Sequence, residues 1–196
     1  MEKKQLETYE KIKSMQQHVN ENLVDYWHSY SGLDTWQFWI ILILFFLLPL
    51  VSVFFFIDGK NKLLIGFYGF NIHVWFGYID RIGSENGYWG YPYKIFPFIP
   101  GNVSLDAALV PILFMYVYQW TLKTNKNFYI YSIGLSVFLS FVFKPIINMH
   151  ELFKMHKGIN FLHLFMFYCI IFIFSKIITN IFMKLPLRKE QKLDKS

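Results

Sequence analysis

Apolar residues follow two rhythms along this chain. Over residues 6–30 they recur at Leu6, Tyr9, Ile12, Met15, Val19, Leu23, Tyr26 and Tyr30. Steps of three and four put them on one face of a helix. Lys4, Glu7, Glu10, Lys11, Gln17 and Glu21 take the other face. From Trp36 onward the rhythm gives way to continuous apolar runs. The first, 36–57, has 22 residues and no charge. At 1.5 Å per residue it can cross a hydrocarbon core of about 30 Å. Further runs cover 63–79, 105–122, 128–143 and 159–182. The pattern predicts an all-α fold: an integral membrane bundle of about five transmembrane helices behind an N-terminal amphipathic helix. Three regions follow, an amphipathic segment at 1–35, a five-span domain at 36–183 and a basic tail at 184–196.

Punctuation between the runs agrees with this division. Residues 31–34 break the first helix, and Asp34 or Thr35 can cap the next. Polar turns at 58–62 and 123–127 predict two helical hairpins. Pro49 predicts a kink in the first span. The fourth run is only 16 residues long before Lys144 and Pro145, so a crossing there needs snorkelling of Lys144 or a thinned bilayer. The amphipathic segment is expected to lie on the membrane or on the protein's own loops. A short coiled coil with a partner is the alternative, because residues 12–30 nearly fit a heptad.

Composition sharpens the class. Apolar residues make up 55% and aromatics 21% of 196 positions, above the usage of an ordinary soluble domain of this size. The polar first 35 residues predict no cleavable signal peptide, leaving the first span as its own insertion signal. The single cysteine, Cys169, cannot form an internal disulfide and reads as a small packing residue. A net charge of +6 would suggest nucleic acid only if it were spread out. Five of the 19 basic residues instead crowd the last 13 positions, the mark of a cytoplasmic anchor facing anionic lipid. No nucleic-acid partner is expected. The turns at 58–62 and 123–127 plus the tail carry nine Lys or Arg, against five in the 80–104 and 144–158 loops. The positive-inside rule then predicts the N-terminus outside and the C-terminus in the cytoplasm.

Candidate chemistry is sparse. In the second span Gly66, Gly69, His73, Gly77 and Asp80 form one stripe, a small-residue groove with an imidazole near mid-membrane. His73 reads as a packing histidine bonded to a neighbouring helix, or as a proton-relay or ligand group. Ser132, Ser136 and Ser140 repeat every four residues toward Lys144. Spans two and four run in the same direction in a five-span topology, which brings Asp80 and Lys144 to one boundary. Asp106 and His163 start spans at that boundary too. The candidate polar site is therefore His73, Asp80, Asp106, Lys144 and His163, with Arg81 and His150 nearby. Over the same boundary, Trp89, Tyr91, Tyr93, Phe96 and Phe98 alternate with Pro92, Pro97 and Pro100. Such a loop is expected to be an interfacial flap or a partner-docking surface. Neither a metal nor a cofactor is expected: His150, Glu151 and His156 have the wrong spacing for a zinc helix, and no phosphate loop or nucleophile elbow is present.

Six segments carry a resemblance: DTWQFW at 34–39, GFYGFNIHVWFGYID at 66–80, GYWGYPYKIFPFIP at 87–100, YQWTL at 118–122, FKP at 143–145 and KGINF at 157–161. Over roughly residues 30–183 the chain resembles the uncharacterised multi-spanning membrane proteins of endospore-forming Gram-positive bacteria. The resemblance implies a bacterial cell membrane and a role tied to the spore envelope, and it carries over no catalytic residue. The leading expectation is a structural or assembly component acting through protein or lipid contacts, with a membrane-protein partner or a homo-oligomer. A homo-oligomeric transporter or channel using His73 and the boundary residues is the alternative, and a membrane-embedded lipid-modifying enzyme the third reading.

Overall fold

A computed structural model of the chain describes residues 2–156 and 158–185. Most of the expected basic tail, and Lys157, lie outside them. Six helices account for most of the described chain: α1 (Lys3–Tyr30), α2 (Trp36–Phe56), α3 (Lys62–Glu85), α4 (Ser104–Thr124), α5 (Phe128–Met149) and α6 (Phe161–Lys184). A two-residue strand β1 (Trp89–Gly90) pairs antiparallel with β2 (Lys154–Met155), with Trp89 opposite Met155. All-α is thus the observed class, and α2, α4, α5 and α6 are each long and apolar enough to cross a membrane.

Helix α3 is not among those four, although the sequence assigns it a span. It packs along α4 and α6 and buries Ile65, Tyr68, Gly69, Asn71, Ile72, Phe76, Asp80 and Gly83. One face of α3 is packed on protein while Leu63, Phe70, Tyr78 and Ile82 are exposed, so its Asn71, Asp80 and Gly69 are tolerated on the packed face. It also runs six residues past the expected end at 79. The glycine stripe splits in two. A methyl on Gly69 would strike Met115, whereas Gly66 and Gly77 face open space. Close approach is therefore required at only one of the three glycines, and by a side chain rather than a helix backbone.

Three prolines decide the shape of the apolar helices. Each lies two residues past a π-helical stretch, at Ile41–Leu47, Ser104–Leu109 and Leu139–Phe143. The residue before each proline donates its N–H five residues back: Leu48 to Ile43, Val110 to Leu105, Lys144 to Leu139. In that register the proline, which has no N–H, deprives the carbonyls of Leu44, Asp106 and Ser140 of their backbone donor. Wide turns absorb the rings, so the helices continue. Thus α5 does not stop before Lys144 but reaches Met149, 22 residues in all, and needs no snorkelling to attain spanning length. Lys144 is 2% exposed, which removes the expectation that it reaches headgroups.

Caps and turns are local. Thr35, not Asp34, caps α2 by accepting the N–H of Phe38 at 3.3 Å. Asn127 caps α5 through the N–H groups of Tyr129 and Ile130. The 58–62 turn is tied to α4, since Gln119 accepts the N–H of Asp58 at 2.7 Å and donates to the carbonyl of Phe56 at 2.8 Å. Tyr68, Phe114, Tyr118, Phe128 and Phe172 fill the bundle near that end with stacked, tilted and edge-on rings.

Helix α1 stands apart. It contains no buried residue, and its whole apolar face from Leu6 to Tyr30 is exposed. Its last turns are pinned by two hydrogen bonds, Trp27 Nε1 to the carbonyl of Lys94 at 2.8 Å and Ser31 Oγ to the carbonyl of Pro92 at 2.9 Å.

Candidate functional site

The polar boundary residues meet beneath the 86–103 segment, which caps one end of the bundle. Asp80 sits near the end of α3, where its carboxylate accepts three donors from the cap. Trp89 Nε1 and Tyr91 Oη donate to Oδ1 at 2.9 and 2.5 Å, and the Asn102 N–H donates to Oδ2 at 3.1 Å. The same N–H lies 3.3 Å from Asp106 Oδ2, so two carboxylates converge on one amide. Lys144 reaches them through an intermediary: its ammonium donates to Tyr91 Oη at 3.3 Å and lies 3.8 Å above the Phe153 ring. Asp80, Asp106 and Lys144 are all buried. Charge-assisted bonds of this kind contribute about 1.5–3 kcal/mol each.

Local sequence explains how the parts arrive. Extended backbone alternates its side chains, so Trp89, Tyr91 and Ile95 turn inward together. Gly83, one turn beyond Asp80, leaves the space that the Trp89 indole occupies; a methyl there would lie 1.9 Å from the ring. Pro100 and Gly101 turn the chain into α4, and Gly101 adopts φ +75°. Asn102 then opens α4, its carbonyl accepting from Leu105 and Asp106 and its amide oxygen from Ser104. Burial, and secondarily the charges of Asp80 and Asp106, hold the Tyr91 phenol well above its ordinary range, so it stays a hydrogen donor. Lys94, on the outer side of the cap, is pulled below the usual lysine range by burial, with the same two carboxylates opposing the shift.

His73 has a different task. Its Nδ1 lies 2.8 Å from the carbonyl of Asp106, the one Pro111 leaves without a backbone donor. The ring therefore carries its proton on Nδ1 and repairs a fault made by a proline. Removing it strands a carbonyl at a cost of about 1–3 kcal/mol. We expect His73→Ala to cost markedly less in a Pro111→Ala background, where an N–H at 111 can replace the imidazole. A double-mutant cycle on thermal unfolding measures this, and additive losses would disprove the pairing.

His163 does not join the cluster. It is exposed at the start of α6, where Asn160 accepts its N–H at 3.2 Å and its ring receives the Asn160 N–H at 3.3 Å. The grouping of Asp80, Asp106 and His163 around one cavity, which a lipid-modifying enzyme would need, is thus not made. Arg81 pairs with Glu85 at 2.9 Å and His150 bonds back to Ile146, both at the surface. Trp89 and Tyr91, expected as interface residues, are core; of that loop set Phe96 and Phe98 are exposed and Tyr93 is half-buried. Sequence reasoning missed Gly101, Asn102, Phe153 and Tyr168. Only the Pro100–Gly101–Asn102 turn signal could have pointed to any of them.

The cluster is buried. Asp80, Tyr91, Lys144, Phe153 and Tyr168 surround a space of about 20 Å³, room for one water-sized guest. Asp106 Oδ1 and Tyr168 Oη, both buried, have no protein partner. Among the described residues no three His, Cys, Asp or Glu are grouped as a metal site would need. The larger opening lies outside, a cleft of about 550 Å³ between the second half of α1 and the cap. Val19, Leu23 and Tyr26 form one wall, and Pro97, Phe98 and Ile99 the other. The chain matches no protein-family model, no curated protein and no solved structure.

Proposed function

We propose that the chain is a multi-pass membrane protein with a structural or assembly role, carried out by contacts on its capped side. Helices α2 to α6 form a five-span bundle, with α3 packed on α4 and α6 along one face. Phe54, Phe55 and Phe56 on α2, and Ile170, Phe174 and Ile177 on α6, are exposed outward, as lipid-facing residues must be. The cap lies on the outer side and the C-terminus in the cytoplasm, following the distribution of lysines. On the resemblance noted above, the membrane is that of a spore-forming bacterium.

One observation carries this reading: α1 extends 28 residues without burying one of them, yet keeps an apolar face from Leu6 to Tyr30. A helix held to its own chain only at its last turns, through Trp27 and Ser31, leaves the rest of its apolar face for something else to pack on. The Asp80–Tyr91–Lys144 cluster serves it by fixing the cap, and the cap holds α1 through Trp27 and Ser31. A photo-crosslinking amino acid at Ile12 should give a discrete protein adduct in native membranes, while one at Phe54 should give lipid. Lipid adducts alone from position 12 would sink the proposal.

A further inference from the structure

We propose that the cleft between α1 and the cap receives the first half of α1 from a second copy of this chain, which receives its own counterpart in return. This rests on the docking role argued above and names its partner. Two unfilled apolar surfaces suggest it. Leu6, Tyr9, Ile12 and Met15 form a stripe that protrudes beyond the cleft, and Val19, Leu23, Phe98 and Ile99 line a cleft that none of the described residues fills. Both belong to the same helix face, so one antiparallel arrangement covers both at once. That is a self-complementary, two-fold contact.

Charge points to this occupant over a lipid surface. Residues 3–15 carry Lys3, Lys4, Lys11 and Lys13 against Glu7 and Glu10, while residues 16–30 carry Glu21 and Asp25 with no Lys or Arg. The halves are opposite in sign and the helix is neutral as a whole. Anionic lipid would favour a cationic helix, and this one has no net charge to offer. The helix's own stability does not explain the pattern either. Lysines at the N-terminus and acids toward the C-terminus oppose the macrodipole, which prefers the reverse. Antiparallel pairing of two such helices sets basic halves beside acidic ones, whereas parallel pairing would set like beside like. Gln16, a polar break in the stripe, falls at its middle and suits the register-fixing place known from paired helices.

Two differently tagged full-length copies test this, each with Cys169→Ala, one carrying Ile12→Cys and the other Phe98→Cys. Co-expressed and mildly oxidised in the membrane, they should give a disulfide-linked product bearing both tags. Leu6→Asp with Tyr9→Asp in the first copy should reduce that product at least several-fold, and high salt should weaken it. A second pair, Tyr9→Cys with Leu23→Cys, guards against an unlucky geometry. No mixed-tag product from either pair, with all four thiols reactive toward maleimide, overturns the inference. A foreign protein captured at Ile12 without mixed-tag product also overturns it, but leaves the docking role standing. Lipid capture alone removes both.

Discussion

Asp80→Ala is expected to lower the unfolding midpoint of the purified protein in detergent by about 6–20 °C, the shift corresponding to about 3–5 kcal/mol in a chain of this size. Two losses combine. Trp89, Tyr91 and the Asn102 N–H lose their common acceptor in a buried site. Lys144, 2% exposed, also loses the carboxylate to which Tyr91 connects it. Asp106 remains as the counter-charge of Lys144, so the stranded donors are the larger penalty, and Lys144→Met in the Asp80→Ala background should deepen the loss by leaving Asp106 unpaired. Asp80→Asn keeps the shape and one accepting oxygen, and should fall between, at about 1–3 kcal/mol. This graded variant keeps the test informative if the alanine protein cannot be isolated. An Asp80→Ala protein as stable as the parent would mean that the cap is held by something other than this carboxylate.

Gly101→Ala is the second large effect, expected at about 2–5 kcal/mol by the same measurement. Its φ of +75° already disfavours any side chain. In addition, the new methyl would lie 2.5 Å from Asp80 Oδ2 and 2.9 Å from Asp106 Oδ2. Neither oxygen can withdraw freely, since both are held by the Asn102 N–H. The cap must therefore lift or the carboxylates must part. Gly134→Ala supplies the contrast. It is exposed on α5 with nothing near an added methyl, and should gain about 0.5–1 kcal/mol from helix propensity. Equal behaviour of the two variants would refute the packing of Gly101 against the carboxylates.

These two residues differ in how far the chain advertises them. Asp80 is visible as a charge at the end of an apolar run, and the parity of spans two and four places Lys144 beside it. Gly101 is one glycine in a proline-rich loop, and its neighbour across the fold is unreadable from either side of it. Tyr91 illustrates the same limit. Its aromatic ring suits an interface or a core equally well, and the choice depends on which face of the extended segment turns inward. Pairing of β1 with β2, some 65 residues away in the chain, is part of what settles that choice.

By itself the sequence determined what depends on neighbours along the chain. The amphipathic period of α1, the apolar runs, the polar turns and the shared boundary of Asp80, Asp106 and Lys144 all follow from hydropathy and topology. The tertiary structure alone decided which buried polar groups of the cluster meet a distant partner. Pro111 frees a carbonyl that His73 repairs from another helix, and Pro145 is absorbed so that Lys144 moves indoors. The physical reason is that a buried charge or carbonyl must find a partner in space. For Lys144 that partner, Tyr91, stands 53 positions away in the chain.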